Sequence, residues 1–244
     1  MVTVTASSSL AGSEADHDKA LYLLSLSQPQ RAQSKKLYCL AKRVFDVVSS
    51  ALLLVLLAPL LLIVATLIKA TSPGPAILVQ ERVGRGGRVF LFYKFRSMYN
   101  NPDRSADMRF AREYINANHP VIVAHGGVFK PANDKRITPP GRFLRKASLD
   151  ELPQLFNVLK GDMSLVGPRP HIPYEVDMYR PQHFRRLEVL PGMTGPGQVS
   201  GRSRLTFQEV VSYDLDYIER RSLLLDLRIL LRTVPVVLSG RGAR

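Results

Sequence analysis

The chain has 244 residues, which allows one domain with extensions or two small ones. Its 34 Lys+Arg against 20 Asp+Glu give a formal charge of +14, which favours nucleic acid, anionic lipid or a phosphorylated substrate as partner. A single cysteine, Cys39, excludes a disulfide within the chain, and the five histidines lack zinc-ligand spacing.

Residues 1–35 are rich in Ser, Ala and Gln and read as a flexible leader without a signal peptide. Residues 45–68, FDVVSSALLLVLLAPLLLIVATLI, form an apolar run whose one charge is Asp46. Its length suffices for a ~30 Å hydrocarbon core, which takes about 20 helical residues. Pro59 cannot donate to the Val55 carbonyl and clashes with that turn, so a bend is expected there. Lys35, Lys36, Lys42 and Arg43 precede the run, and Lys69, Arg82, Arg85 and Arg88 follow it. The positive-inside rule places both flanks in the cytoplasm. A re-entrant helix that breaks at Pro59 and returns satisfies both features; a Pro-kinked crossing helix is the alternative.

Thr71-Ser72-Pro73-Gly74-Pro75 is a turn cluster, and residues 76–80 are a short apolar stretch. Val83-Gly84-Arg85-Gly86-Gly87-Arg88 lacks phosphate-loop spacing and reads as a hairpin turn into residues 89–93. Residues 106–117 suggest a helix, with a loop to 133, and residues 135–145 are a basic, turn-rich approach to the next helix. Leu152, Leu155, Phe156 and Leu159 predict one apolar helix face, ended by Gly161. Two prolines keep 166–170 irregular and stiff, and residues 190–197, LPGMTGPG, are a second rigid loop. Thr206 and Glu209 form a capping box. In residues 223–238, Leu224, Leu227, Leu231, Val234 and Leu238 share a face, suited either to a membrane interface or to a core.

The most informative stretch is Ser148-Leu149-Asp150-Glu151-Leu152-Pro153. Ser148 and Glu151 match a capping box, yet Pro153 would then clash inside the helix. With Asp150 as the cap, Pro153 falls in the first turn and the carboxylate sits at the helix mouth, a place that also suits phosphate. Arg142, Arg145 and Lys146 lie just upstream, and strand alternation would put Lys94 and Arg96 on one face. Arg169 is held between Pro168 and Pro170. Such cations suit a diphosphate and would hold Asp150 ionised, as a nucleophile requires.

These motifs, with KRVFD, QERVGRGG, YKFRSM, GDMSLVGPRP and DLDYIERRSLLLDLRILL in order from about residue 42 to 238, resemble the bacterial sugar transferases, the monotopic phosphoglycosyl transferases. The resemblance implies a mostly α fold with a small β element. It would comprise a re-entrant membrane helix over 36–70, with Ala58-Pro59 where relatives carry Ser-Pro, and a catalytic domain over 71–244 with interfacial amphipathic helices. It also implies the minimal catalytic form with a short leader. By the same resemblance, Asp150 of the Asp150-Glu151 dyad attacks the β-phosphate of a UDP-sugar, UMP leaves, and polyprenyl phosphate takes the phosphosugar. Magnesium supports the diphosphate, with Asp150 a candidate ligand. Lys94, Arg96, Arg142, Arg145, Pro168, Arg169 and Pro170 map to phosphate and nucleotide contacts. The expected location is the cytoplasmic face of a bacterial inner membrane, with lipid and no nucleic acid as partner and a homodimer left open. The rivals are a membrane-anchored nucleic-acid-binding protein, suggested by the charge, and a non-catalytic assembly scaffold.

Overall fold

The computed structural model describes residues 36–99, 105–116, 134, 136–201 and 204–239; the expected leader, and residues 100–104 and 117–133, lie outside them. The described chain is mostly helical with two small sheets. A long helix, α1 (Lys36–Thr71), leads into the antiparallel hairpin β1 (Ile77–Val83) and β2 (Val89–Phe95). Next come α2 (Ser105–Asn116), α3 (Pro139–Lys146), a 3-10 turn (Leu149–Glu151) and α4 (Gln154–Lys160). Strand β3 (Ser164–Val166) pairs in parallel with β4 (Gly192–Thr194); between them lie α5 (Pro173–Val176) and a 3-10 segment (Pro181–Glu188). The chain closes with α6 (Pro196–Ser200), α7 (Phe207–Arg220) and α8 (Leu223–Ser239).

The apolar run behaves differently from expectation at Pro59. α1 is one uninterrupted helix of 36 residues with Pro59 inside it. The proline removes a single donor, and the helix is held on the body by contacts farther toward each end. At about 1.5 Å per residue the helix is roughly 54 Å long, and by length and composition it could cross a membrane. Its contacts decide how it sits on the protein. Near its start, Arg43 donates to the Val158 and Leu159 carbonyls at 2.6 and 2.7 Å, closing the end of α4. Asp46 is buried and accepts from the Leu165 amide of β3 at 3.1 Å. Near its end, Val64 and Ile68 are buried with Phe95 and Leu144. Both ends therefore pack on the same body, while Val48, Leu52, Leu56, Leu62, Ile63 and Leu67 on other faces stay exposed. The basic flanks are partly structural: Lys42 pairs with Asp226 at 2.9 Å, and Arg43 is used as described. Cys39 is exposed on α1.

Tyr38 and Tyr217 also donate to Asp226, at 2.9 and 2.7 Å, so one buried carboxylate joins α1, α7 and α8. On α8, Asp226 and Ile229 face inward, while Leu224, Leu227, Leu231, Val234 and Leu238 are all exposed. That stripe is not core. The Thr206–Glu209 capping box forms as expected, with reciprocal bonds at 3.2 and 2.7 Å.

Three local expectations change. Residues 139–146 are themselves a helix, because Thr138 caps it and both prolines fall at its first positions. On α4 the buried residues are Gln154, Leu155, Asn157 and Val158, whereas Phe156 is half exposed. The buried face is turned because Asn157 is itself a structural side chain. It accepts from the Tyr93 amide at 3.0 Å and donates to the Leu91 carbonyl at 2.6 Å, stitching α4 to β2. The loop at 190–197 contains strand β4, since the Pro191 and Thr194 carbonyls pair with β3 and the residue after it.

Asn157→Ala leaves both main-chain groups of β2 without that partner. Unfolding in detergent micelles should require about 2–3 kcal/mol less, seen as a lowered thermal midpoint. An unchanged midpoint would show that the hairpin is held by other contacts.

Candidate active site

Asp150 stands in the 3-10 turn, ahead of α4 rather than at its cap. Pro153 takes the position just before α4, and the backbone stays right-handed from Leu149 through Leu152 and Pro153. Ser148 has φ 55 and its side chain does not cap the turn, so the Ser148–Glu151 box that Pro153 argued against does not form. The left-handed residue reverses the chain after α3 and brings Arg145 of that helix back toward the dyad.

Lys94, Arg145 and Arg169 are the cations whose fields act on Asp150. Each comes from a different element: β2, α3 and the loop after β3. Lys94 sits opposite Leu78 in the hairpin register, and Arg82 sits opposite Phe90, so period-two alternation puts both cations on one sheet face. Arg169 donates to Glu151 at 2.8 Å, with both side chains only partly covered. Arg96 is elsewhere. Strand β2 stops at Phe95, and the Arg96 guanidinium turns back to the Ser72 and Pro73 carbonyls at 2.7 and 2.6 Å. It clasps the turn after α1 instead of joining the dyad. Arg142 is exposed on α3, with no bond to Asp150 or Glu151.

The balance of charge and burial differs from the simple expectation. Burial, and then the like charge of Glu151, push the Asp150 carboxyl up to about 6; Lys94, Arg145 and Arg169 only partly offset them. Burial, and then the neighbouring Arg82, bring the Lys94 ammonium down to about 8, against the pull of Asp150. The carboxylate is still ionised in most molecules at pH 7, but it titrates within reach of neutrality. A group poised in this way fits a nucleophile or a base.

Pro168, Arg169 and Pro170 are fixed from behind. The Pro168 carbonyl accepts from the Gly192 amide at 2.9 Å, and Gly167 donates to Thr194 at 2.9 Å. A Cβ on Gly192 would lie 2.1 Å from the Gly167 nitrogen, so this close approach requires glycine. Arg82 donates to the Pro170 carbonyl at 3.0 Å, and buried Arg186 reaches the Arg169 carbonyl at 3.2 Å. Sequence reading missed both arginines. Arg82 carried the signal of alternation with Lys94, which becomes visible only once the hairpin register is known. His171 is largely covered beside Arg186, and desolvation with that charge drives it well below the usual imidazole range, which keeps it neutral.

No group of three His, Cys, Asp or Glu side chains gathers among the described residues. Among the described residues, the adjacent Asp150 and Glu151 are the carboxylates of the site that could hold a metal. Two carboxylates suffice for magnesium carried largely by phosphate oxygens and water. The mutual repulsion that raises Asp150 is also what a cation would relieve.

The family model described as bacterial sugar transferase matches residues 37–240. The chain is 45% identical over 203 residues to the undecaprenyl-phosphate galactose phosphotransferase of Salmonella typhimurium, covering 83% of this chain and 41% of that protein. It is 44% identical over 212 residues to the UDP-glucose:undecaprenyl-phosphate glucose-1-phosphate transferase of Caulobacter vibrioides, covering 84% and 72%. It is 38% identical over 204 residues to the exopolysaccharide production protein ExoY of Sinorhizobium fredii, covering 84% and 88%. The chain thus spans less than half of some curated relatives and most of others.

Carbon-13 labelling of aspartate carboxyls, with Asp150 assigned by its loss in Asp150→Asn, should give an apparent pKa of about 6. Glu151→Gln should lower it by removing a like charge, and Arg169→Ala should raise it by removing a cation. Shifts in the opposite directions would contradict this account of the site.

Proposed function

The chain belongs to the bacterial sugar transferase family, and from that membership we propose that it moves a sugar 1-phosphate from a UDP-sugar to polyprenyl phosphate through a phosphosugar held on Asp150. The observation that carries the reading is a half-buried carboxylate facing three cations from separate elements, on a body that carries an apolar helix along its side. The donor class and the undecaprenyl acceptor follow the relatives' names. Those names differ in the sugar, so the proposal stays at the level of a sugar 1-phosphate. The product would enter exopolysaccharide or related glycan assembly.

In the first step a carboxylate oxygen of Asp150 attacks the β-phosphorus. The bond to the bridging oxygen breaks, and UMP leaves with that oxygen and its electron pair. In the second, a phosphate oxygen of the lipid attacks the same phosphorus and expels the Asp150 carboxylate, giving a polyprenyl diphosphate sugar. Lys94, Arg145 and Arg169 would face the charge that spreads over the transferring group; positioning and electrostatics supply most of such catalysis. Glu151 fixes the Arg169 guanidinium and adds a second carboxylate oxygen. Magnesium, held by the dyad and the donor's own phosphates, would supply further charge neutralisation.

The acceptor cannot leave the bilayer, so the site must lie at its edge. A helix packed along one body cannot cross perpendicularly without drawing polar surface into hydrocarbon, where unpaired groups cost several kcal/mol each (about). We therefore read α1 as a same-face element with its exposed apolar residues in lipid, and α8 as an interfacial helix beside it. Arg228 and Arg232, both exposed, suit anionic headgroups on the cytoplasmic face.

UMP release from a panel of UDP-sugars in polyprenyl-phosphate nanodiscs tests the reading. Asp150→Asn should abolish release, by at least about 10³-fold, and should trap no phosphosugar on the protein. Normal turnover by that variant would remove Asp150 as the nucleophile. The wild-type rate should climb as pH rises through about 6, as Asp150 loses its proton, and should fall as pH rises through about 8, as Lys94 loses its charge. A flat profile from pH 5 to 9 would contradict these assignments.

A further inference from the structure

Arg169 reaches Glu151 through one guanidinium, yet its main chain is held by side chains from two other elements. Arg186 is buried in the second 3-10 segment. Its guanidinium pairs with Asp214 of α7 at 2.8 Å, and the two side chains are 2% and 1% exposed. The same guanidinium donates to the Tyr179 hydroxyl, lies 3.2 Å from His171 Nε2 and donates to the Arg169 carbonyl at 3.2 Å. On the other side, Arg82 of β1 donates to the Pro170 carbonyl at 3.0 Å and to Gln80 at 2.9 Å, and lies over the Phe92 ring. Two successive carbonyls of a stiff Pro-Arg-Pro segment are thus pinned by arginines that do not touch Asp150 or Glu151.

A buried ion pair adds little stability over apolar residues of the same volume. What such residues could not supply is the bond to the loop carbonyl. A displacement of about 1 Å in a charged group that must meet a transition state can cost about 100-fold in rate. We propose that Arg186, oriented by Asp214, and Arg82 are positioning residues for the transfer: they hold the Arg169 and Pro170 carbonyls so that the Arg169 guanidinium meets Glu151 and the donor's diphosphate. The proposal rests on the transferase reading above, and Arg169 is the group through which both arginines act.

A double-mutant cycle on the full chain in nanodiscs tests it. Arg186→Lys keeps a positive charge beside Asp214 but cannot span to the Arg169 carbonyl. Arg82→Gln removes the second anchor and serves alone should Arg186→Lys fail to fold. Each single variant should lower kcat for UMP release by about 100-fold, with a smaller change in KM for the UDP-sugar. In an Arg169→Ala background, which keeps the carbonyl but lacks the guanidinium, each should cost nothing further. Wild-type kcat in the single variants, or the same loss repeated in the Arg169→Ala background, would overturn the proposal. Hydrogen exchange at the Gly192 amide, which donates to Pro168, reads the loop without any chemistry. It should quicken in both variants, and unchanged exchange would overturn the positioning role. Absence of UMP release by the wild-type chain with every donor would instead retire the transferase reading.

Discussion

A long apolar helix bound along its length to a charged body constrains the rest of this molecule. The bond types that hold α1 are polar at its start and apolar at its end. Lys42, Arg43 and Asp46 meet a carboxylate, two helix-end carbonyls and a strand amide, whereas Val64 and Ile68 meet Phe95 and Leu144. The helix therefore presents a protein-facing side and an exposed apolar side along its axis. The dyad is built on the same body that carries this exposed apolar surface.

The electrostatics of the dyad follow from a contest between burial and charge. Removing water from Asp150 disfavours its ionised form, and Glu151 one residue away adds to that. Three cations restore part of the loss without reversing it. Placing more cations nearer would give a firmly ionised but weakly basic carboxylate. The arrangement keeps the group ionised near neutrality while preserving its reactivity. Glu151 is kept from dominating because Arg169 takes up its charge.

Much of this was legible in the sequence where the signal is local. Hairpin residues, the Thr206 cap, the αL stop at Gly161 and the stiff loop through Pro168 and Pro170 all follow from turn chemistry and proline geometry, although Val166 ends strand β3 instead of joining that loop. The adjacency of Asp150 and Glu151 among cations was legible too. What escaped depends on contacts between distant residues. Arg96 and Lys94 look equivalent in the sequence, but the strand ends between them and the two guide different parts of the fold. Arg82 and Arg186 look like surface charge until the fold bonds them to main-chain carbonyls, Arg186 in a buried position. Pro59 looks like a break, yet the loss of one donor is too small to interrupt a helix anchored on both sides. Several cations behind the net charge of +14, among them Arg43, Arg82, Arg96 and Arg186, are bonded within the fold, so gross charge overstated the surface available to outside anions.

The Asn157 stitch has a consequence for how this fold can vary. Tyr93 and Asn157 are 64 positions apart, and their bond brings the strand bearing Lys94 against the helix that follows Asp150. Ammonium and carboxylate are thereby spaced through a side-chain amide, independently of the length of chain that separates them. The bond bypasses the chain that joins them, in which α2 keeps its own place through buried Ala111 and Ile115.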